Sequence, residues 1–256
     1  MEWIIFSEKD IDDYKTFING DAYSGIWHSV EWLDFQLKTL KAVNGFFFGV
    51  KDENEIVLAG LFLIQKSKKF KFGYIPAGFL YKKINAEILN FLFNNINNLA
   101  KKENLLFTQV DSITPFDGNL DILLKNEKRV KTGLKLPIPQ FTNTIDLSLS
   151  YDDILAAMKP KGRYNIKLAE KKGVRIKKGS ISEISEFYKL LKETTERDGF
   201  RPNNEEYYRK MVEIIPNSQL LVAYHEEDIL ASGIFTYFNN QGLYYYGASS
   251  NVKRNL

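Results

Sequence analysis

Two kinds of hydrophobic periodicity follow one another along this chain in an order that occurs twice, and that repeat constrains the fold more than any single motif. Strands alternate or run apolar over a few positions, whereas helices place apolar residues three and four apart. In the first half, residues 3–6 (WIIF) read as a strand, and Ser7 with Asp10 three residues on reads as the start of a helix to about Ile18. Residues 29–40 set Trp32, Leu33, Leu37 and Leu40 at helical spacing, which makes Trp32 first of all a core residue. Three strands follow, at 45–50, 56–65 and 70–76, the last marked by Lys/Phe alternation of period two. Residues 86–102 then form a helix with Ile88, Leu89, Leu92, Phe93, Ile96 and Leu99 on one face, and 105–110 a strand. The order is β-α-α-β-β-β-α-β.

Residues 111–140 are less regular, with Pro137 and Pro139 as breakers; a strand at 144–147 then leads into a helix at 151–158. Beyond a basic stretch the order returns: strand 174–178, helix 182–196 with Ile184, Phe187, Leu190 and Leu191 inward, helix 204–215, and strands 219–225, 229–238 and 243–248. β-α-α-β-β-β is the order of the acyltransferase fold widely shared by N-acetyltransferases. The expectation is an α/β (α+β) protein of two tandem acetyltransferase-like (GNAT-like) domains, 1–143 and 144–256. A complete second copy needs a helix and a strand after Ala248, but only SSNVKRNL remains, so this domain is expected to be incomplete and truncated, with an unneighboured edge on GLYYYGA.

Charge is concentrated where the second copy begins. Between Met158 and Lys178 nine cations stand against one anion, Glu170, while the whole chain carries only +3. If the stretch is helical from Gly162, Arg163, Lys167 and Lys171 share one stripe, where like charges repel unless an anion neutralises them. A solvated helix face and a polyanion site both fit that pattern; the position at a repeat boundary favours the second. The absence of Cys removes disulfides, thiolate catalysis and Cys-ligated metals. Only His28 and His225 could supply imidazole, so no metal site is expected, and both read as structural: His28 precedes a helix and His225 ends a strand. No GxxxxGK[ST] or strand-following GxGxxG occurs, which sets aside P-loop and Rossmann chemistry. Acid sits at the N-terminus where an export signal would carry Lys or Arg, and the longest apolar run, 56–64, is far too short to span a bilayer. A cytoplasmic protein is expected, working without a transmembrane segment.

Several runs together carry a family resemblance: MKPKGRYNIK (158–167) with KKGV (171–174), FYKL (187–190), TERDGFRP (195–202), EYY (206–208) and YYYGASS (244–250). Weaker echoes are SVEW (29–32), YIPAG (74–78) and the strand-ending Asp111. This set resembles the FemABX family of peptidoglycan-bridge aminoacyltransferases, in the compact form that lacks a coiled-coil arm. Such enzymes have two acetyltransferase-like domains, in agreement with the repeat.

The resemblance implies transfer of an amino acid from aminoacyl-tRNA to the stem-peptide amine of a peptidoglycan precursor, either UDP-MurNAc-pentapeptide or a lipid-linked form. No cofactor is implied, since the ester is already activated. The expected setting is a monomer at the inner face of the plasma membrane, in peripheral contact with it. The family's precursor-binding arginine falls on Arg201 and its tyrosine on Tyr207, with Tyr208 alternative because the spacing differs by two residues. The tyrosine before the Gly-Ala-Ser segment falls on Tyr246. Where some members have a precursor-binding lysine, this chain offers Gln36, with Lys38 the nearest cation. Lys161, Arg163, Lys167 and Lys171 would meet tRNA or substrate phosphates. The catalytic group is unknown, because a further lysine implicated near the active site lies beyond Leu256; that leaves open the activity of a chain of this length. Two rival functions stand beside this one. An acyl-CoA-dependent N-acyltransferase would need a pyrophosphate-binding loop, and GASSNVKR (247–254) has a single glycine at its start. A non-catalytic RNA-binding protein would use the basic helix alone.

Overall fold

In the computed structural model, which describes residues 1–111 and 142–253, strand β3 (Glu55–Lys66) has residues 57–64 all buried. A strand can be dry on both faces only if layers cover both. The segment with Pro137 and Pro139, and residues 254–256, lie outside the described residues. The chain divides into two compact units, Met1–Ile138 with Phe238–Gln241, and Pro139–Tyr237 with Gly242–Leu256.

In the first unit β1 (Glu2–Ile5) leads through α1 (Ile11–Asn19) and α2 (Val30–Lys38) into β2 (Asn44–Asp52) and β3. The β2–β3 hairpin turns on Glu53 and Asn54, both at positive φ (49° and 68°), the handedness that matches strand twist in a two-residue turn. β4 (Lys71–Ile75), β5 (Phe79–Tyr81), α3 (Ala86–Lys102) and β6 (Leu105–Val110) complete the unit. The sheet order is β1-β2-β3-β4-β6, with β5 also on β3; β4 and β6 are parallel, and the other pairs antiparallel.

Alternation along β2 explains the two layers. Phe47 packs on Tyr14 of α1 with ring centroids 4.4 Å apart, while its neighbour Phe48 joins Leu58, Phe62, Ile64 and Ile75 in the cluster under α3. α3 contributes Ile88, Leu89, Leu92 and Ile96, one apolar face, each worth roughly 1.5–3 kcal/mol of burial. Its N-terminus is capped by Asn85, whose Oδ1 accepts the Ile88 N–H at 2.8 Å. The three-residue β5 had no period long enough to reveal it.

The second unit begins with α4 (Tyr151–Ala157), α5 (Pro160–Lys171) and β7 (Arg175–Gly179), then α6 (Ile184–Asp198), α7 (Glu205–Ile214), β8 (Gln219–His225), β9 (Asp228–Phe238) and β10 (Gln241–Ser249). The sheet order is β10-β9-β8-β7. β-α-α-β-β-β therefore appears in both units. The strand expected at 144–147 does not form: Ile145 and Leu147 are exposed and no strand pairs with that segment among the described residues. Alternation marks a face fit for burial, but a strand without a ladder partner has nothing to hold its backbone. α5 starts two residues before Gly162, at Pro160, whose fixed φ and missing N–H suit a first helical position. Among the described residues no helix is long and apolar enough to cross a membrane.

Candidate functional site

Three phenols, Tyr207, Tyr208 and Tyr246, meet in the second unit. α6 buries Ile184, Phe187, Leu190 and Leu191 at helical spacing and ends on Gly199, whose φ of 74° is the left-handed cap that glycine accepts without strain. That turn passes the chain through Phe200 to an exposed Arg201. Asn204 then caps α7 by accepting the Tyr207 N–H at 3.0 Å, so the first turn of α7 carries Tyr207 and Tyr208 inward. Tyr246 comes from β10. Its hydroxyl lies 3.2 Å from that of Tyr207, and its ring stands perpendicular to Tyr208 at 5.0 Å between centroids. The Tyr208 hydroxyl accepts the Asn203 N–H at 3.1 Å.

Burial pushes Tyr207, Tyr246 and Tyr208 upward in pKa; Tyr207 raises Tyr246 further, whereas the hydrogen bond with Tyr246 partly offsets the rise at Tyr207. All three are neutral hydrogen-bond donors at physiological pH. The structure thus brings Tyr207 and Tyr246 together, with Arg201 six residues before Tyr207 and free of the core.

The turn after β10 is built unlike an anion cradle. Ser249 N–H donates to Thr194 Oγ1 at 3.0 Å, Ser250 N–H to the Leu230 carbonyl at 2.8 Å, Asn251 N–H to Glu193 Oε2 at 3.1 Å and Val252 N–H to Ser250 Oγ at 3.0 Å. Four successive amides are spent on the protein's own acceptors, one of them a carboxylate. A pyrophosphate arriving there would find these four donors occupied and a like charge.

The basic helix is in part as expected. Lys161, Lys167 and Lys171 project from α5 into solvent, and no residue of α5 is buried. Arg163 instead turns back, donating from Nη1 to the carbonyls of Ala156, at 3.2 Å, and Met158, so it also closes the C-terminal end of α4.

In the first unit, Gln36 is buried and Lys38 is exposed in an ion pair with Asp34 at 2.7 Å. Two residues apart on α2, they do not share a face. A group that the candidate set omitted sits at the C-terminal ends of the parallel pair β4 and β6. There Asp111, 6% exposed, accepts from the Tyr74 hydroxyl at 2.7 Å and from Gln109 Nε2 at 3.0 Å. Ligands in open α/β sheets gather at such strand ends. The signal was present in YIPAG and the strand-ending Asp, but nothing in the sequence joined positions 37 residues apart. His28 is buried, its carbonyl accepting from Tyr14 Oη at 2.7 Å and its Nδ1 from the Gly25 N–H at 3.2 Å. Desolvation, only partly offset by the backbone of Gly25 and Gly78, lowers its pKa to about 4. That is a structural, neutral imidazole. His225 lies at the end of β8 with Lys253 Nζ 3.3 Å from Nδ1.

Similarity to known proteins agrees with this architecture. The crystal structure of FemX superposes with a TM-score of 0.78 at 17% identity, covering 100% of this chain and 82% of that one, which establishes the shared fold. Among curated proteins, aminoacyltransferase FemA of Staphylococcus aureus (strain bovine RF122 / ET3-1) is 24% identical over 225 residues, 79% of this chain and 53% of the relative. Lipid II:glycine glycyltransferase of Staphylococcus aureus (strain MRSA252) is 24% identical over 216 residues, 79% of this chain and 50% of the relative. The chain spans about half the length of these curated relatives. The sequence pattern of the FemAB family matches residues 10–122 and 130–226, so most of both units takes part, and the chain belongs to the FemAB family.

Proposed function

We propose that this protein is an aminoacyltransferase that moves an amino acid from aminoacyl-tRNA to the stem-peptide amine of a peptidoglycan precursor. The observation that carries the reading is the Tyr207–Tyr246 pair, a buried and a half-buried neutral phenol 3.2 Å apart, on a chain of FemAB membership. In the reaction the acceptor amine attacks the ester carbonyl, a C–N bond forms, and the C–O bond to the tRNA ribose breaks. The proton lost by the amine is matched by the one gained by the ribose oxygen. No oxidant, metal or ATP enters that balance, and the enzyme's work is to hold two large anions and steady the developing oxyanion.

Neutral phenols suit that last task, because they donate without adding a charge that must itself be desolvated. Arg201, exposed beside them in sequence, would grip the precursor's phosphate with its planar fork. Lys161, Lys167 and Lys171, with Arg163 anchored at the base of the same helix, would face the tRNA backbone, giving affinity without base reading. Asp111, a carboxylate held by Tyr74 and Gln109, is the first-unit group to test by replacement. The named relative that uses lipid II makes a lipid-linked acceptor at the inner membrane face the first to try, with UDP-MurNAc-pentapeptide as the soluble alternative. The reading is of a cytoplasmic monomer with two domains, 1–143 and 144–256.

The amides consumed after β10 speak against an acyl-CoA donor held in the acetyltransferase manner. The deciding experiment is incorporation of labelled amino acid from charged tRNA into both precursors, with acetyl-CoA as a competing donor. Transfer from tRNA is the expected result. Labelling from acetyl-CoA alone, or tRNA binding without precursor binding, would overturn it.

A further inference from the structure

The end of α6 does more than terminate a helix. Thr194 Oγ1 accepts the Ser249 N–H at 3.0 Å and donates to the Ser249 carbonyl at 3.2 Å, and Glu193 accepts the Asn251 N–H. One turn later Arg197 spans the same segment: Nη2 donates to Ser249 Oγ at 3.2 Å, and Nη1 to Asn251 Oδ1 at 2.9 Å and to the Ser249 carbonyl at 3.4 Å. Its Nε donates to Asp198 Oδ1 at 3.2 Å, which fixes the plane of the guanidinium. Thr194 and Arg197 both hold Ser249, and Glu193 and Arg197 both hold Asn251; Arg197 ties the two residues through one planar group.

Both ends of this clasp lead to candidate site residues by short, stiff paths. Ser249 lies three residues from Tyr246 on β10, so any slide of the turn along the strand is passed to that phenol. Arg201 lies four residues from Arg197 across the left-handed Gly199 cap. We infer that Arg197 is a positioning residue of the transfer site, holding the strand that carries Tyr246 in register with the helix end that presents Arg201. The inference rests on the aminoacyl-transfer reading above and adds to it a residue that touches no substrate.

A hydroxyl pair at 3.2 Å tolerates little displacement, and misplacement by about 1 Å can cost on the order of a hundredfold in rate. Arg197→Lys keeps the charge but cannot span Ser249 and Asn251 with a planar fork. The experiment measures kcat and KM for transfer from charged tRNA, for wild type, Arg197→Lys, Tyr246→Phe and the double variant, normalised to folded protein by circular dichroism and thermal melting. Arg197→Lys is expected to stay folded and to lower kcat by about tenfold or more. In the Tyr246→Phe background the same change should have little further effect on kcat, because the lost register has no hydroxyl left to misplace. A kcat within twofold of wild type, or fully additive losses in the double variant, would overturn the positioning role while leaving the aminoacyltransferase reading intact. If Arg197→Lys fails to fold, Asn251→Ala, which removes only the far acceptor, must show the same kcat loss and the same non-additivity, or the inference is wrong. A wild-type protein that transfers nothing from charged tRNA would overturn the reading itself, and the inference with it.

Discussion

The two units use the same run of elements around interiors that differ in emphasis. In the first, β3 is dry along residues 57–64 and the space beneath α3 is filled by Phe48, Leu58, Phe62, Ile75 and Leu92. In the second, the positions where α6 and α7 meet their sheet include Tyr207, Tyr208, Thr194 and Thr195 among the buried residues, and the hydroxyls are paired with one another or with backbone. Close packing of hydrocarbon gives stability and leaves no chemistry, whereas a phenol interior gives up part of that stability for fixed donors. The first unit thus resembles a scaffold with a small polar group at its strand ends, Asp111 with Tyr74 and Gln109, and the second a site with a core around it.

The largest expected effect breaks the hydrocarbon side of that comparison. Phe62 is fully buried and stacks on Phe46 at 5.4 Å, and Phe62→Ala should cost about 3–5 kcal/mol in denaturant unfolding. A loss below about 1 kcal/mol would mean that the first unit is not the rigid scaffold described. Packing around the same ring predicts a second, smaller cost from the opposite direction. A Cβ at Gly73 would meet Phe62 Cζ at 2.5 Å and Thr108 Oγ1 at 2.7 Å, so Gly73→Ala should cost roughly 1–3 kcal/mol by overpacking. The two substitutions share a neighbour, and their effects should not add.

Acid and alkali should act on different groups, with buried Tyr14 of the first unit sharing the alkaline limb with the phenols of the second. His28 has a folded pKa lowered to about 4 by burial, so the unfolded chain takes up a proton that the folded one refuses. Stability is then complete above about 6.5 and falls as pH drops toward 4, by about 3 kcal/mol from this residue. The phenols act with the other sign: Tyr207 and Tyr246 are held above their usual pKa by burial. Their contribution is complete below the unfolded value near 10 and declines as pH rises beyond it, because the unfolded chain releases protons that the folded one keeps. Urea midpoints across pH 4–11 test both. Loss of the alkaline limb alone in Tyr207→Phe would assign that limb to the pair.

What could be read from the sequence follows the same division. Periodicity found the elements of both units because burial of one face imposes it, and it failed where that cause was missing. Residues 144–147 alternate without a ladder partner, and β5 is too short to show a period. The basic stripe was legible as spacing, but the return of Arg163 to the carbonyls of α4 was not, since a charge pattern does not say where a guanidinium points. Tyr207 and Tyr246 could be named singly from family runs; that their hydroxyls meet is a fact about positions 39 residues apart. The Arg197 clasp and the Tyr74–Asp111 bond were invisible for the same reason.

The smallest expected change in stability is also the sharpest for function. Tyr207→Phe removes one hydroxyl from a pair whose members can each donate, leaves the ring and its packing on Tyr208 in place, and should cost only about 1 kcal/mol in unfolding. If the pair steadies an oxyanion, the same substitution should lower kcat by about tenfold to a hundredfold while KM for the precursor stays near that of the wild type, since a donor used only in the transition state does not hold the ground state. Arg201→Lys should show the reverse split, a raised precursor KM with kcat little changed, because a point charge replaces a two-pronged phosphate contact. Should Tyr207→Phe raise KM instead, the phenols bind the precursor rather than serve the reaction, and the buried hydroxyls of the second unit are then recognition groups whose chemistry must come from elsewhere, with Asp111 the first carboxylate to replace.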